Sequence, residues 1–336
     1  MDSLSSAVLV FAISSVIVIF AGVALARFGD ELAEKTGWGT LWVGTILVSV
    51  STSLPELSIN ISAVWLDNSP GLALGNVFGA NMINIFVIGM VGLMFGIRNV
   101  FGHQGADTQV LIKVGIGLVA LTLVMGMAGD FRLGPTSLGA VLVAIGYILG
   151  MRGVYMAGRA DAEAAAAEDS SDKGSARNAW IGFGIASLVV IIAGRFLASS
   201  ADAIATISGI SASFIGVLLV SVVTTLPEGS VTVAAAFRKS YGIAIGNVYG
   251  SCAFNVFIIP FAGAFYDGPL LRAMEGAHYV AAAGALILMS MGFFVVRACQ
   301  SSPSATASVP ALARTLTIAI PVVYVAALYW VYTLAR

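Results

Sequence analysis

Charge of either sign is scarce in this chain: only 10% of its 336 residues are Asp, Glu, Lys or Arg. A soluble globular domain carries roughly 25%. With 59% hydrophobic residues and a mean hydropathy of +0.98, the chain has too little polar surface to be solvated by water alone, and a bilayer is its expected solvent. The net charge of -1 lacks the basic excess that nucleic-acid binding favours. Cysteine is nearly absent: Cys252 and Cys299 make neither a disulfide framework nor a metal cluster, and both read as packing residues. There are only two histidines, His103 and His278, and neither falls in mid-span. His-Glu-x-x-His and Gly-x-Ser-x-Gly are both missing, which leaves an intramembrane enzyme without its usual machinery. No nucleotide-binding loop appears, so nucleotide coupling is not expected. The N-terminus has no basic region before its first apolar run, which reads as a first span rather than a cleaved signal.

Long apolar runs are abundant. A helical span needs about 20 mostly apolar residues, and ten segments qualify: 6–26, 40–65, 71–97, 110–128, 136–156, 180–200, 210–236, 242–266, 278–297 and 312–334. The polar, Ala-, Asp-, Glu- and Ser-rich stretch 159–178 reads as a flexible linker, and 300–308 as a loop. Asp30, Glu31, Glu34 and Lys35 read as part of a solvated loop, and Asp67, Asp107, Asp130, Asp202 and Asp267 as solvated charges near span ends. With both termini outside, twelve of the Lys and Arg residues fall on the inner side and four (Arg132, Arg195, Arg272, Arg336) on the outer, as the positive-inside rule prefers. Trp38, Trp42, Trp65, Trp180 and Trp330 lie near span ends, as an interfacial belt requires.

The linker divides the chain into residues 1–158 and 179–336, with five expected spans in each. The halves repeat. Gly44-Thr-Ile-Leu-Val-Ser-Val-Ser-Thr-Ser-Leu-Pro-Glu56 matches Gly216-Val-Leu-Leu-Val-Ser-Val-Val-Thr-Thr-Leu-Pro-Glu228 at an offset of 172. Gly75-Asn-Val-Phe-Gly-Ala-Asn-Met-Ile-Asn84 matches Gly246-Asn-Val-Tyr-Gly-Ser-Cys-Ala-Phe-Asn255 at an offset of 171. An odd number of spans per half turns the repeats in opposite directions across the membrane. The expected fold is an all-α membrane protein of ten transmembrane helices arranged as two inverted five-helix repeats, with the repeated motifs at about 44–97 and 216–266.

Within these motifs Glu56 and Glu228 are deep in apolar sequence. A carboxylate at mid-bilayer costs about 2.5–3.5 kcal/mol on an insertion scale, so two of them need a bound cation, a proton or hydrogen bonds. Pro55 and Pro227 have no N–H, which frees the carbonyls of Ser51 and Val223. Thr52 and Ser53 precede Glu56 by four and three residues, on its face of the helix, and Thr224 and Thr225 do the same for Glu228. Carboxylates, hydroxyls and carbonyls form an all-oxygen set suited to Ca²⁺ and Na⁺ rather than Zn²⁺ or Cu⁺. Asn84 and Asn255 read as amide ligands that complete the ring. Asn76 and Asn247 fit ligation and helix–helix hydrogen bonding equally.

Ser-Thr-Ser-Leu-Pro-Glu and Thr-Thr-Leu-Pro-Glu, each followed by Gly-Asn-Val-x-Gly-x-x-x-x-Asn, resemble the two alpha repeats of the sodium/calcium exchanger superfamily. The bacterial antiporter branch is the nearer match, since Ala264-Phe-Tyr-Asp-Gly-Pro-Leu-Leu-Arg272 and His278 also look like its sequence after the second repeat. The resemblance implies a bacterial inner-membrane antiporter that exchanges Ca²⁺ for Na⁺ by alternating access, without a cofactor, its partners being inorganic cations and lipid. It implies that Glu56 and Glu228 bind Ca²⁺ and share Na⁺, that Thr52, Thr224, Ser49 and Ser221 lend carbonyls, and that Ser53, Thr225 and Ser251 serve flanking Na⁺ positions. Asn84 and Asn255 would flank the centre. The chain departs from the family pattern at Ser51 and Val223, where Gly is usual, at Ala80, the counterpart of Ser251, and at Asn255, where many prokaryotic members carry an acid. Two carboxylates balance one Ca²⁺, two Na⁺ or two H⁺, so a cation/H⁺ antiporter or an exchanger of another divalent ion on the same scaffold stays open, with an ion channel and an intramembrane enzyme behind them.

Overall fold

A computed structural model describes residues 3–66, 68–102, 104–134, 136–168, 175–207, 221–301 and 308–334. It is nearly all helical. The main elements are α1 (Leu4–Thr36), α2 (Thr40–Trp65), α3 (Pro70–Phe95), α4 (Ala106–Ala128), α5 (Leu138–Glu168), α6 (Arg177–Ile207), α7 (Leu226–Phe237), α8 (Tyr241–Gly263), α9 (Gly276–Gln300) and α10 (Ala311–Leu334). Among the described residues nine helices are long and apolar enough to cross a membrane. The tenth expected span, 210–236, is described only from Ser221: Ser221–Thr224 is helical, Thr225 is a turn, and α7 follows with Pro227 in its first turn. Residues 216–220 of the second motif lie outside the described residues, as do His103, Asp67 and Arg336.

Two expected loops continue as helix. α1 runs ten residues past its predicted end, closing at Gly37 in the left-handed region (φ 72°). The acidic and basic side chains read as a solvated loop are spaced as helix surface neighbours: Lys35 bonds Glu31 at 2.7 Å, four residues back, and Asp30 reaches Arg238 beyond α7 at 2.5 Å. α5 likewise extends through the first half of the expected linker to Glu168, where the run of alanines favours helix; residues 169–174 lie outside the described set. Asp130 was expected to be solvated. It is buried instead, accepting N–H bonds from Phe131 (2.9 Å) and Gly139 (2.8 Å) at the start of the two-stranded turn Arg132–Ser137. Asp267 matches its expectation and is exposed, paired with Arg132 at 3.3 Å.

In lipid, apolar burial supplies no drive between helices, so close packing through small residues and internal polar contacts must hold them together. α8 is the central helix, buried along almost its whole length. It crosses α2 at backbone contact. A Cβ on Gly44 would sit 2.7 Å from the Ile243 carbonyl oxygen, and one on Gly250 would sit 2.8 Å from the Thr45 carbonyl oxygen. At this crossing α2 takes up a π-helical turn, Val43–Val48, a distortion found mostly at functional sites. α1 and α6 lie side by side, and each grips the opposite half: α1 packs on α7, where Gly22 leaves room for Ser230, and α6 packs on α2, where Gly194 leaves room for Pro55. Gly22 and Gly194 stand at the repeat offset of 172, so the same position in each half gives the close approach to the other.

Candidate functional site

Both repeats deliver their polar residues to the middle of the bundle. Ser49, Thr52, Ser53, Glu56, Asn76, Asn84, Ser221, Thr224, Thr225, Glu228, Asn247, Ser251 and Asn255 are all buried. Helical spacing explains the alignment on α2: positions 49, 52, 53 and 56 share one stripe, and α8 brings its own stripe, 247, 251 and 255, against it.

The link between halves is direct. Ser53 on α2 donates to Glu228 Oε1 at 2.8 Å and lies 3.1 Å from Ser251 Oγ on α8; Ser251 Oγ is 3.5 Å from the same carboxylate oxygen. Glu56 lies within electrostatic reach of Glu228 and beside Thr224. The framework around them obeys the repeat. Thr52 donates to Asn247 Oδ1 at 3.2 Å, and Thr224 donates to Asn76 Oδ1 at 3.4 Å. Asn76 Nδ2 donates to Asn60 at 3.1 Å, and Asn247 Nδ2 donates to Thr232 at 3.0 Å and to the Glu228 carbonyl at 3.0 Å. Asn76 and Asn247 therefore do the helix-joining work that was one of their two sequence readings: they hold the α3 and α8 backbones beside the glutamate-bearing helices.

Several expected ligands are engaged elsewhere. Thr225 Oγ1 donates to the Ser221 carbonyl at 2.7 Å, and Ser221 Oγ donates to Asn76 at 3.4 Å. Ser49 Oγ bonds the Thr45 carbonyl, and the Ser49 carbonyl accepts from Thr52 at 3.1 Å. Asn255 Nδ2 donates to Asn81 Oδ1 at 3.1 Å rather than to either glutamate, and no hydrogen bond joins Asn84 to the other predicted ligands. The reading by motif missed Asn60, Thr232 and Asn81. Their signal was present: Asn60 and Thr232 each lie one turn beyond a glutamate at the repeat offset, and Asn81 lies one turn before Asn84. Asn81 also exchanges contacts with Cys252, donating to its carbonyl at 3.1 Å, while Cys252 Sγ reaches the Asn81 carbonyl at 3.8 Å.

The unmet hydrogen-bond capacity is concentrated here. Among the described residues, both oxygens of Glu56, Oε2 of Glu228, both amide atoms of Asn84 and Oδ1 of Asn255 are buried without a partner in hydrogen-bond geometry. An unsatisfied buried acceptor costs about 1–3 kcal/mol, and more when charged. Among the described residues neither glutamate forms an ion pair, and no cluster of three His, Cys, Asp or Glu occurs. Neutral oxygens must therefore supply most of any coordination shell.

These features define a class: polytopic helical membrane proteins whose two repeats share one buried, oxygen-lined acidic site. Within that class the chain belongs to the sodium/calcium exchanger protein family, whose profile matches residues 6–156 and 178–335. Among curated relatives, the inner membrane protein YrbG of Escherichia coli K12 is 25% identical over 72% of this chain and 74% of its own length. The sodium/calcium exchanger MaX1 of Methanosarcina acetivorans is 26% identical over 71% of this chain and 77% of its own. The fold matches crystal structures of the sodium-calcium exchanger NCX_Mj, one of them soaked with Na⁺ and zero Ca²⁺, with a TM-score of 0.73 at 21% identity, covering 97% of this chain and 99% of the other.

Proposed function

We propose that this protein is a secondary antiporter that exchanges Ca²⁺ for Na⁺ by alternating access at a midplane site, with Glu56 and Glu228 as the charged ligands. The observation that carries the reading is the pair of buried carboxylates, one from each repeat and within electrostatic reach of each other, with oxygens unpartnered among the described residues and Ser53 of the first repeat bonded to Glu228 of the second. Buried charge must be paired, and these two neutralise one Ca²⁺, two Na⁺ or two H⁺. Such a balance lets the site return across the membrane loaded with either ion and disfavours return when empty. The names of relatives that carry Na⁺ and Ca²⁺ support the choice of ions. Ser53, Ser251, Asn84 and Asn255 supply neutral oxygens, while Thr52, Thr224, Ser49, Ser221 and Thr225 supply carbonyls or fix the helices that carry the glutamates.

The test is ⁴⁵Ca²⁺ uptake by proteoliposomes under an outward Na⁺ gradient or, separately, a pH gradient. Uptake is expected with Na⁺ and abolished in Glu56→Gln and in Glu228→Gln while both variants still reconstitute. Wild-type rates in both variants refute the site, and uptake driven by pH alone replaces Na⁺ with H⁺ as the counter-ion.

In the same reading residues 1–158 and 179–336 are the two repeats, the protein sits in a bacterial inner membrane with both termini outside, and 159–178 faces the cytoplasm. Reporter fusions check this: a cytoplasm-active reporter inserted after Gly174 should be active and one fused after Arg336 silent, and the reverse pattern would invert the topology.

A further inference from the structure

A residue that touches its own repeat counterpart marks the line about which the two halves are related, and Asn81 on α3 and Cys252 on α8, at the offset of 171, are such a pair. Asn81 Nδ2 donates to the Cys252 carbonyl at 3.1 Å, and Cys252 Sγ reaches the Asn81 carbonyl at 3.8 Å. The two contacts are equivalent in the backbone and unequal in the side chain. A carbonyl oxygen can only accept, so the bond to Cys252 fixes which end of the Asn81 amide carries the N–H groups and leaves Oδ1 at the other end. That Oδ1 accepts from Asn255 Nδ2 at 3.1 Å, which in turn leaves Asn255 Oδ1 as the free acceptor, one turn beyond Ser251 on the α8 stripe. The same relay in the other half would run from residue 252 to Asn84, and a thiol, a weak donor and weak acceptor, cannot pass it on. Among the described residues both amide atoms of Asn84 lack a hydrogen-bond partner, and all four residues are buried.

We infer that Asn81 is a positioning residue that presets the Asn255 amide oxygen as the end offered to the cation, and that Cys252 leaves the Asn84 amide free to present either end. This rests on the proposed antiport reading and deepens it: the neutral amide oxygens of the two halves are unequal, one preset and one adjustable. Neither Asn81 nor Cys252 touches the cation; each acts through the asparagine of the opposite repeat. An amide that shows its N–H end half of the time is competent for the rest, which weakens its contribution about twofold. Without Asn81 the Asn255 N–H groups lose their acceptor and turn to a glutamate oxygen instead. The cation must then displace that bond, a loss of about 3- to 10-fold in affinity.

The measurement is a Ca²⁺ titration of the unfolding temperature of the full chain in detergent, which gives an apparent Kd without requiring turnover, paired with Na⁺-driven ⁴⁵Ca²⁺ uptake in proteoliposomes. Asn81→Leu, which keeps the volume and removes both amide ends, should weaken Ca²⁺ about 3- to 10-fold and have no further effect in an Asn255→Ala background. Cys252→Asn, which supplies the missing acceptor, should tighten Ca²⁺ about twofold, and the gain should vanish with Asn84→Ala. In the wild type Asn255→Ala should cost more than Asn84→Ala. In the exchange variant Asn81→Cys/Cys252→Asn, which swaps the two residues between the halves and keeps the composition of the crossing, that order should reverse; the exchange also tells a lost relay from a misfolded single variant. An Asn81→Leu penalty undiminished in Asn255→Ala, or an order that survives the exchange, assigns Asn81 to helix packing alone and overturns this inference while the antiport reading stands. A wild type with neither a Ca²⁺-dependent shift nor Na⁺-driven uptake overturns both.

Discussion

Ser53 shows how one hydroxyl can tie two repeats together. It leaves α2 of the first half and donates to Glu228 of the second at 2.8 Å, while Glu56, its own neighbour one turn along, has no such bond from Ser53. Hydrogen bonds to charged groups are worth about 1.5–3 kcal/mol. Ser53→Ala should therefore weaken the apparent affinity for the coupling cation about 10- to 100-fold, with a smaller effect on Ca²⁺, and a KM series in proteoliposomes for each ion measures the split. Equal losses for both ions would place Ser53 in the shared position instead. At this scale the sequence was informative about identity and poor on engagement. Glu56, Glu228 and Ser53 could be picked out because the repeat marks them, and Ser251 only through the family resemblance, but nothing in the spacing reveals that Thr225 bonds its own backbone or that Asn255 is held by Asn81. Those choices depend on which rotamer finds a partner across a helix interface.

The elements meet at one demanding place, the crossing of α2 and α8. Gly44, Gly246 and Gly250 let the backbones touch, and the π-helical turn Val43–Val48 lies directly against them. Any side chain at Gly250 would press on the Thr45 carbonyl and on Ser49 Oγ (2.7 Å), and backbone cannot rotate away. Gly250→Val should cost about 1–3 kcal/mol or more through overpacking, seen as lost monodisperse yield and a lower unfolding temperature in detergent. Gly117→Ala on α4, where nothing lies within 4 Å, should be neutral or slightly stabilising, since alanine is the better helix former. The repeated glycines were visible in sequence as a close-approach signal. The π turn was not, because it follows from where α8 presses rather than from any residue preference in Val43–Val48. The helical ends of α1 and α5 were missed for a related reason: hydropathy locates the membrane, and a helix can leave the membrane without ending.

For the whole molecule the central fact is interpenetration. α1 belongs to the first half and packs on α7 of the second; α6 does the reverse against α2. The acidic site is thereby enclosed by both repeats and cannot form in either alone. A ligand that binds only the folded state stabilises it by about 2.7 kcal/mol at a hundred times Kd. Ca²⁺ should therefore raise the unfolding temperature of the detergent-solubilised protein, and the Glu56→Gln/Glu228→Gln double variant should lose that shift; a shift that persists would place the stabilising ion elsewhere.

Composition and hydropathy by themselves fixed the solvent, the helical class and the approximate spans, because a bilayer accepts little besides apolar helices. The internal repeat named the glutamates and most of their neighbours, because duplicated polar residues in apolar helices stand out against lipid-facing sequence. The inequality of the two half-sites was decided by tertiary structure. Ala80 and Ser251 differ by one oxygen atom, and that atom matters only because α8 packs so that Ser251 and Ser53 converge on the same carboxylate oxygen while Thr225 bonds its own helix.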